Sequence, residues 1–385
     1  MKRCVLFVSI TLAVLLAVQG AATAQGEPSS FFDIGLDFLN KGQYDQAISA
    51  FTKVIEQNPT NADAYYNRAF CYDAKGRYNE AISDYTKSIA LKPKEWDAYY
   101  NRGLAYFNIR EYDKAIADYN KAVELNPGHA GAYLNRGLAY DKKGSFNKAI
   151  ADYSTAIGLN PNSSNYYTSR GAAYHNAGRG EKAMQDYNKA LELNPQDPDA
   201  YYNRGIAYND RGEYDKAIAD YSRAITINPK DWEALYNRGI SYYNNGRWDN
   251  ALSDLTKAVM LSPQSVGIYN YRGLVYEELG QYEQAIADYT RAIAVDPKNG
   301  YAYTNRGTVY HNKGLYELAL QDLTKSLEIN PTVAATWFTK GLACEGAGRI
   351  AEAREAYRNC IKYAPQDPYN SEYLDKARQR LQALK

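Results

Sequence analysis

The sequence predicts an all-α protein, a solenoid of ten stacked copies of one helical hairpin. Three observations lead there. Prolines recur at Pro59, Pro93, Pro127, Pro161, Pro195, Pro229, Pro263, Pro297, Pro331 and Pro365, always 34 residues apart with no insertion or deletion. A fixed period of this size marks a stacked-repeat architecture. Within each copy, apolar and small residues fall at helical spacing. Nearly every copy also has a glycine near its middle, and each has a residue-proline pair near its end. That is the punctuation two short helices need.

The copy Pro198–Asp231 shows the elements in order. Tyr201, Arg204, Gly205 and Tyr208 lie at i, i+3, i+4 and i+7, one stripe of a helix over roughly Asp199–Arg211. Gly212 ends that helix by supplying an open turn. A second helix over roughly Tyr214–Ile227 places Ala217, Tyr221, Ala224 and Ile225 on one face. Asn228 precedes Pro229 and so leaves helical geometry. Helices this short are marginal alone in water, so each stripe must be buried against its sister helix and the next copy. Gly205 and Ala217 mark the closest helix approach, with tyrosines filling the space around them.

This pattern resembles the tetratricopeptide repeat over Pro28–Asp367, or 340 of 385 residues. The small place late in the first helix is Gly in nine copies, with Ala69 the exception. The connecting Gly is also present in nine, replaced once by Arg110, and the alanine opening the second helix occurs in all ten, from Ala47 to Ala353. The resemblance implies a right-handed superhelix of repeats 28–61, 62–95, 96–129, 130–163, 164–197, 198–231, 232–265, 266–299, 300–333 and 334–367. Pentatricopeptide RNA readers have a longer period and a basic groove, and Sel1-like repeats have variable spacing. Neither fits this chain.

Before the array, Lys2 and Arg3 precede the apolar run Val5–Val18, and Ala22-Thr23-Ala24 forms a small-x-small site. This reads as a secretory signal peptide, residues 1–24, with a linker at 25–27. The run is shorter than the roughly 20 apolar residues of a membrane span. An uncleaved signal anchor is the alternative. Cys4 lies before the run, so it does not serve a lipoprotein. The expectation is a soluble, exported protein, periplasmic or secreted, with no membrane span once the signal is removed.

Composition bounds the function. With 45 basic and 44 acidic residues the net charge is +1, which lacks the basic excess of a nucleic-acid binder. Thirty-nine tyrosines stand against nine phenylalanines, and tyrosine suits half-buried faces because its apolar ring ends in one polar atom. Cys71, Cys344 and Cys360 show no metal spacing, so no metal or cofactor is expected. Cys344 and Cys360 share the last repeat, and either a disulfide or two small buried thiols is open to them.

The end copies differ from the middle. The first is more apolar, with Phe31, Phe32, Ile34, Phe38 and Phe51, and Tyr373, Leu374, Ala377, Leu381 and Leu384 imply a capping helix within 368–385. In the fifth copy Gly180 replaces an aromatic. With Gly178 nearby, the array is expected to open or bend first around Gly178–Glu181.

Eight copies carry arginine at one core place: Arg68, Arg102, Arg136, Arg170, Arg204, Arg238, Arg272 and Arg306. The same eight carry aspartate sixteen residues later: Asp84, Asp118, Asp152, Asp186, Asp220, Asp254, Asp288 and Asp322. The first and last copies lack both, with Ile34 and Ala50 in one and Lys340 and Ala356 in the other. Only pairing within a repeat strands no charge, which predicts a structural ladder of intra-repeat ion pairs.

The other face of the first helix lines the inner, concave surface in arrays that this chain resembles. It carries Tyr66, Tyr100, Tyr202, Tyr236 and Tyr243, and beside them Asn67, Asn101, Asn135, Asn203, Asn237 and Asn305. An amide donates and accepts at once, so such a row suits a peptide backbone of any sequence. The carboxylate clamp of some family members needs early lysines and arginines, and those places here hold tyrosine, aspartate and asparagine. His129, His175 and His311 sit in separate repeats, and no nucleophile motif or phosphate loop stands out, so no catalytic residue is expected. The resulting expectation is a non-catalytic scaffold that binds a protein or peptide partner for envelope assembly or tethering. A role with polysaccharide, or on a membrane through an uncleaved anchor, are the alternatives.

Overall fold

The computed structural model describes residues 30–364 and 371–384. The expected signal peptide, the linker and Pro365 lie outside the described residues. Among the described residues every long element is an α-helix. The chain divides into two compact units, Met1–Ala207 and Tyr208–Lys385.

In the first unit the hairpins are Phe31–Asn40 with Tyr44–Gln57, Ala62–Ala74 with Tyr78–Leu91, Trp96–Asn108 with Tyr112–Leu125, Ala130–Lys142 with Phe146–Leu159, and Ser164–Asn176 with Gly180–Leu193. The helix Pro198–Asp210 begins one residue earlier than its stripe suggested. Proline is tolerated at a first helical position because that N–H has no intrahelical partner. Asp197 caps this helix, its Oδ1 accepting from the Asp199 and Ala200 N–H groups at 3.1 Å each.

In the second unit Tyr214–Ile227 is followed by Trp232–Asn244 with Trp248–Leu261, Val266–Glu278 with Tyr282–Val295, Gly300–Asn312 with Tyr316–Ile329, Ala334–Gly346 with Ile350–Tyr363, and a final helix Ser371–Ala383. Ala377 of that helix is buried, and Tyr373, Leu374 and Leu381 pack on the cluster holding Tyr357 and Cys360. The apolar face of the last hairpin is thereby covered.

The turn inside each hairpin has one construction. Gly76 has φ 73°, its N–H bonds to Asp73 O, and the Arg77 N–H reaches back to Tyr72 O, both at 2.8 Å. These two bonds satisfy carbonyls that the helix end would otherwise leave open. Arg110 holds the same place with φ 64°, the one positive-φ residue other than glycine among the described residues. Its N–H bonds to Phe107 O and the Glu111 N–H to Tyr106 O, each at 2.9 Å.

The core runs through the middle of each hairpin. A Cβ built on Gly137 would lie 2.6 Å from the Tyr153 ring, so the bare backbone is what lets that ring settle between the two helices. Tyr119, Tyr153 and Tyr187 are buried in this way in successive repeats, as is Tyr289 in the second unit, and Tyr85 is buried in the repeat where Ala69 stands in the glycine's place. Burial of each such ring contributes about 2–3 kcal/mol relative to exposure. In repeats 7 and 9 Leu255 and Leu323 take the ring's place.

Candidate functional site: the inner face and the guanidinium ladder

In eight repeats the first helix carries an arginine that reaches toward second helices, and its other face carries aromatic or amide side chains such as Tyr66 with Asn67 and Tyr100 with Asn101. Both features follow from one helix: residues four, five, six and seven of a repeat cannot share one face.

Seven guanidinium–carboxylate pairs lie within single repeats and within single units. Arg68 donates from Nε to Asp84 Oδ2 at 2.6 Å and from Nη2 to Oδ1 at 2.9 Å. The same two-point contact joins Arg102 with Asp118, Arg136 with Asp152, Arg170 with Asp186, Arg238 with Asp254, Arg272 with Asp288, and Arg306 with Asp322, at 2.6–2.9 Å. Parallel paired bonds of this kind are among the stronger polar contacts. Arg204 and Asp220 belong to different units, and the bridge between them stays an expectation.

These side chains are well covered, the arginines 15–20 % exposed and the aspartates 4–9 %. Each of Arg68, Arg170, Arg272 and Arg306 also lies between two tyrosines of its own helix, for example 5.7 Å from Tyr65 and 5.9 Å from Tyr72. The ring faces attract the cation. The Arg68 guanidinium is held above its ordinary value, first by the hydrogen bond to Asp84.

One set of contacts was not anticipated. The remaining nitrogen, Nη1, donates in every case to a residue sixteen positions earlier, in the preceding repeat: Arg68 to Thr52, Arg102 to Thr86, Arg136 to Asn120, Arg170 to Ser154, Arg204 to Asn188, Arg238 to Ser222, Arg272 to Thr256 and Arg306 to Thr290, at 2.7–3.4 Å. Several of these hydroxyls donate to a carbonyl of their own helix, as Thr52 does to Ile48 O at 2.7 Å, which leaves their lone pairs for the guanidinium. The eight arginines therefore each tie their repeat to the one before it, and seven of them also close their own hairpins. The signal was present in the sequence: a hydroxyl or amide side chain stands sixteen residues before every one of the eight arginines.

On the other face, the asparagines sit deeper than a lining row would. Asn67, Asn101, Asn135 and Asn203 are 8 %, 8 %, 2 % and 2 % exposed, and Tyr202 is buried with them. Asn67, Asn203 and Asn237 donate to the carbonyl four residues back, Asp63, Asp199 and Glu233 O, at 2.8–2.9 Å. Asn101 donates to the Tyr66 hydroxyl and Asn135 to the Tyr100 hydroxyl, both at 2.8 Å and both across a repeat boundary. The reason is helix spacing: a side chain at this place reaches the preceding first helix before it reaches solvent. Burial and the adjoining Asp97 carboxylate hold the Tyr66 phenol far above its ordinary value, and burial pushes Tyr100 up to about 12.

In the second unit the same face is aromatic and more open. Tyr236 and Tyr271 meet edge to face at 5.7 Å, and Tyr243 meets Tyr271 at 6.3 Å. The Tyr243 hydroxyl donates to Glu278 Oε1 at 3.4 Å, and burial pushes its phenol up to about 12. Asn305 is half-buried beside Arg306.

The other candidates are structural in place. His129 stacks on Trp96 with centroids 4.4 Å apart, and its Nδ1 accepts from the Ala132 N–H at 3.1 Å as a helix cap. Burial lowers its basicity. Cys71, Cys344 and Cys360 are buried free thiols. Among the described residues no group of three His, Cys, Asp or Glu side chains could hold a metal ion, and no helix is long and apolar enough to cross a membrane.

Tandem helical hairpins of constant length, all but one closed by a glycine turn and stacked through a small-residue seam, define a helical-repeat interaction scaffold. The family models agree. A "Tetratricopeptide repeat" model matches 96–129, 130–163, 198–231 and 300–333, and other models of that description match 32–94, 232–265 and 334–367. A "TPR repeat" model matches 177–210 and 278–314. The chain belongs to the tetratricopeptide-repeat family.

Among solved structures, MamA is 35 % identical over 42 % of this chain and 95 % of its own, with a TM-score of 0.41. YrrB, described as a TPR protein with an unusual peptide-binding site, is 24 % identical over 48 % of this chain and 95 % of its own, with a TM-score of 0.38. Yeast Tom70 is 16 % identical over 92 % and 94 %, with a TM-score of 0.46. No curated protein matches the chain.

Proposed function

We propose that the protein is a non-catalytic scaffold, exported from the cytoplasm, that holds an extended peptide or a partner helix on the inner face of its first helices and serves envelope assembly or tethering. One observation carries this reading. Aromatic and amide side chains recur at one place of successive first helices, on a repeat family whose members act by binding proteins. Tyr236, Tyr243 and Tyr271 are half-buried rings on that face, which leaves part of each ring open to a partner. The Asn101 and Asn135 amides, held by neighbouring tyrosines, position the face, while its aromatic rings meet the partner.

Export rests on the basic start at Lys2 and Arg3, the apolar run Val5–Val18 and the Ala22-Thr23-Ala24 site. Cleavage after Ala24 makes Gln25 the first residue of the mature chain. N-terminal sequencing of protein recovered from the envelope fraction tests this, and an intact Met1 would favour the anchored form. For the partner, crosslinking and pull-down of the mature protein should recover a discrete polypeptide. A Tyr236→Ala, Tyr243→Ala double variant that still folds should lose it; equal recovery by that variant would refute the inner-face reading.

A further inference from the structure

A cleft of about 400 Å³ opens in the first unit between the hairpin turns of repeats 4 and 5. Residues 144–148 line one side, and Ala177 with Arg179 the other. It lies at the turn edge of the hairpins rather than on the tyrosine–asparagine face. Its size falls within the range of small-ligand sites, about 300–1,000 Å³.

Other junctions show why the space is open here. Lys75 Nζ donates to Asp45 Oδ2 at 2.5 Å, thirty residues back in the preceding repeat. Lys143 holds Asp113 and Lys313 holds Glu283 at the same separation. In the second unit Asn245 Nδ2 and Arg247 Nη2 both donate to Asp215 Oδ1, at 3.1 and 2.8 Å. Between repeats 4 and 5 both ends of this strut are changed. Ala177 stands where the lysine would, and Asn147 stands where the carboxylate would. Arg179 keeps the place of Arg247, but its Nη2 donates to the neutral Asn147 Oδ1 at 2.8 Å.

The cleft is therefore cationic. Lys148 lies 5.4 Å from the Tyr140 ring, and neither it nor Arg179 has a carboxylate partner among the described residues. The acids that flank the two turns, Asp141 and Glu181, are not part of the lining. The junction of repeats 9 and 10 is the internal comparison. Ala347 leaves a cleft of about 300 Å³ there, but Glu317 accepts from Arg349 Nη2 at 2.6 and 2.8 Å, and Leu315 and Leu318 line much of the rest. The charge of Arg349 is answered within the chain; that of Arg179 is not. A guanidinium that holds an amide gains by meeting a carboxylate, where charge adds to geometry.

We propose that this cleft receives a glutamate side chain from an acidic segment of a partner protein. Its carboxylate takes, between Arg179 and Lys148, the part that Asp113 and Asp215 play at other junctions. The Ser145 hydroxyl adds a donor, and Phe146 and Ala177 add apolar surface that suits the two methylenes of the side chain. The inference concerns a surface other than the inner face and does not depend on the reading above.

Fluorescence anisotropy of rhodamine-labelled hexaglutamate with the full protein tests it, with hexaglutamine as the neutral comparator. Hexaglutamate should bind saturably at low salt and more weakly as salt rises, because Lys148 and Arg179 are exposed. Asn147→Asp combined with Ala177→Lys rebuilds the strut of the preceding junction without changing the net charge. That variant should weaken binding about tenfold or more, as should Arg179→Gln. Lys257→Gln makes the same charge change as Arg179→Gln at an exposed place in the second unit and should leave binding unchanged. If the double variant fails to fold, the comparison of Arg179→Gln with Lys257→Gln decides. No saturable binding of hexaglutamate overturns the proposal. Unchanged binding by the double variant, or equal losses in the two glutamine variants, would reduce the effect to the field of the whole protein and overturns it too. Binding of inorganic phosphate without binding of the peptide would define a free-anion site and equally overturn it. Tyr236→Ala with Tyr243→Ala should keep hexaglutamate binding while losing partner capture on the inner face, so the two readings can fail separately.

Discussion

Arg68 donates through Nη1 to the Thr52 hydroxyl at 3.0 Å, sixteen residues back in the preceding repeat, while its other two nitrogens grip Asp84, sixteen residues ahead. One side chain thus touches three helices. Thr52 belongs to the first repeat, which has no arginine–aspartate pair of its own, yet it supplies the acceptor its neighbour needs.

The carboxylates should matter more than the hydroxyls. Asp254 is 3 % exposed, and replacing it with alanine leaves Arg238 covered with the Ser222 hydroxyl and the Tyr242 ring but no counter-charge from Asp254. Asp254→Ala is expected to cost about 3–5 kcal/mol in urea unfolding. Thr86→Val removes one hydrogen bond at a more open site and should cost about 1 kcal/mol. Equal effects would mean that the paired bonds contribute no more than the single one.

Arg110 sits in a backbone conformation that costs a residue with a Cβ about 1–2 kcal/mol. Arg110→Gly should stabilise the first unit, by less than that full amount because glycine also loosens the unfolded chain. Thermal melting reads the sign, and a lower melting temperature would show that the arginine side chain contributes more than the turn loses.

Asp73 and Tyr85 stand in the same relation as Glu277 and Tyr289, and as Glu345 and Tyr357, where the tyrosine donates to the carboxylate. The aspartate is one methylene shorter: Tyr85 Oη and Asp73 Oδ1 are both buried without partners. Asp73→Glu should restore the bond and add about 1 kcal/mol.

The same carboxyl makes a pH prediction. Burial pushes Asp73 up to about 6 from 3.8, so the folded state binds its proton more tightly than the unfolded chain does. Its contribution is therefore fully present below pH 4 and is lost as pH rises through 6. Stability measured against pH for the parent and for Asp73→Asn should diverge over that window, the variant gaining relative to the parent. Parallel curves would place the proton elsewhere.

The thiols should be inert while the protein is folded. Burial pushes Cys71 up to about 12 and Cys360 up to about 11, and it also raises Cys344. The thiolate is the reactive form, so alkylation at pH 8 should be slow in native protein and immediate in denaturant. Rapid labelling of Cys344 without denaturant would indicate that the last repeat opens.

Much of the fold is legible in the sequence because each unit of information is local and repeated. Helix spacing, the glycine turn and the stop before proline lie within one 34-residue copy, and ten copies show which features are required. The arginine and aspartate columns are legible for the same reason, since both vanish together from the outer copies. What the sequence left open is what depends on how one copy meets the next. The Arg68–Thr52 and Asn101–Tyr66 contacts join residues of different repeats, and no periodicity within a copy specifies the distance between them. That distance is set by the packing of buried rings such as Tyr85 against small residues, and it decides that the asparagines turn inward to neighbouring helices. The sequence alone determined the repeat, its helices and its charge columns; the tertiary packing alone decided which polar groups are satisfied within the fold and which, like Asn135 Oδ1, are buried without a partner.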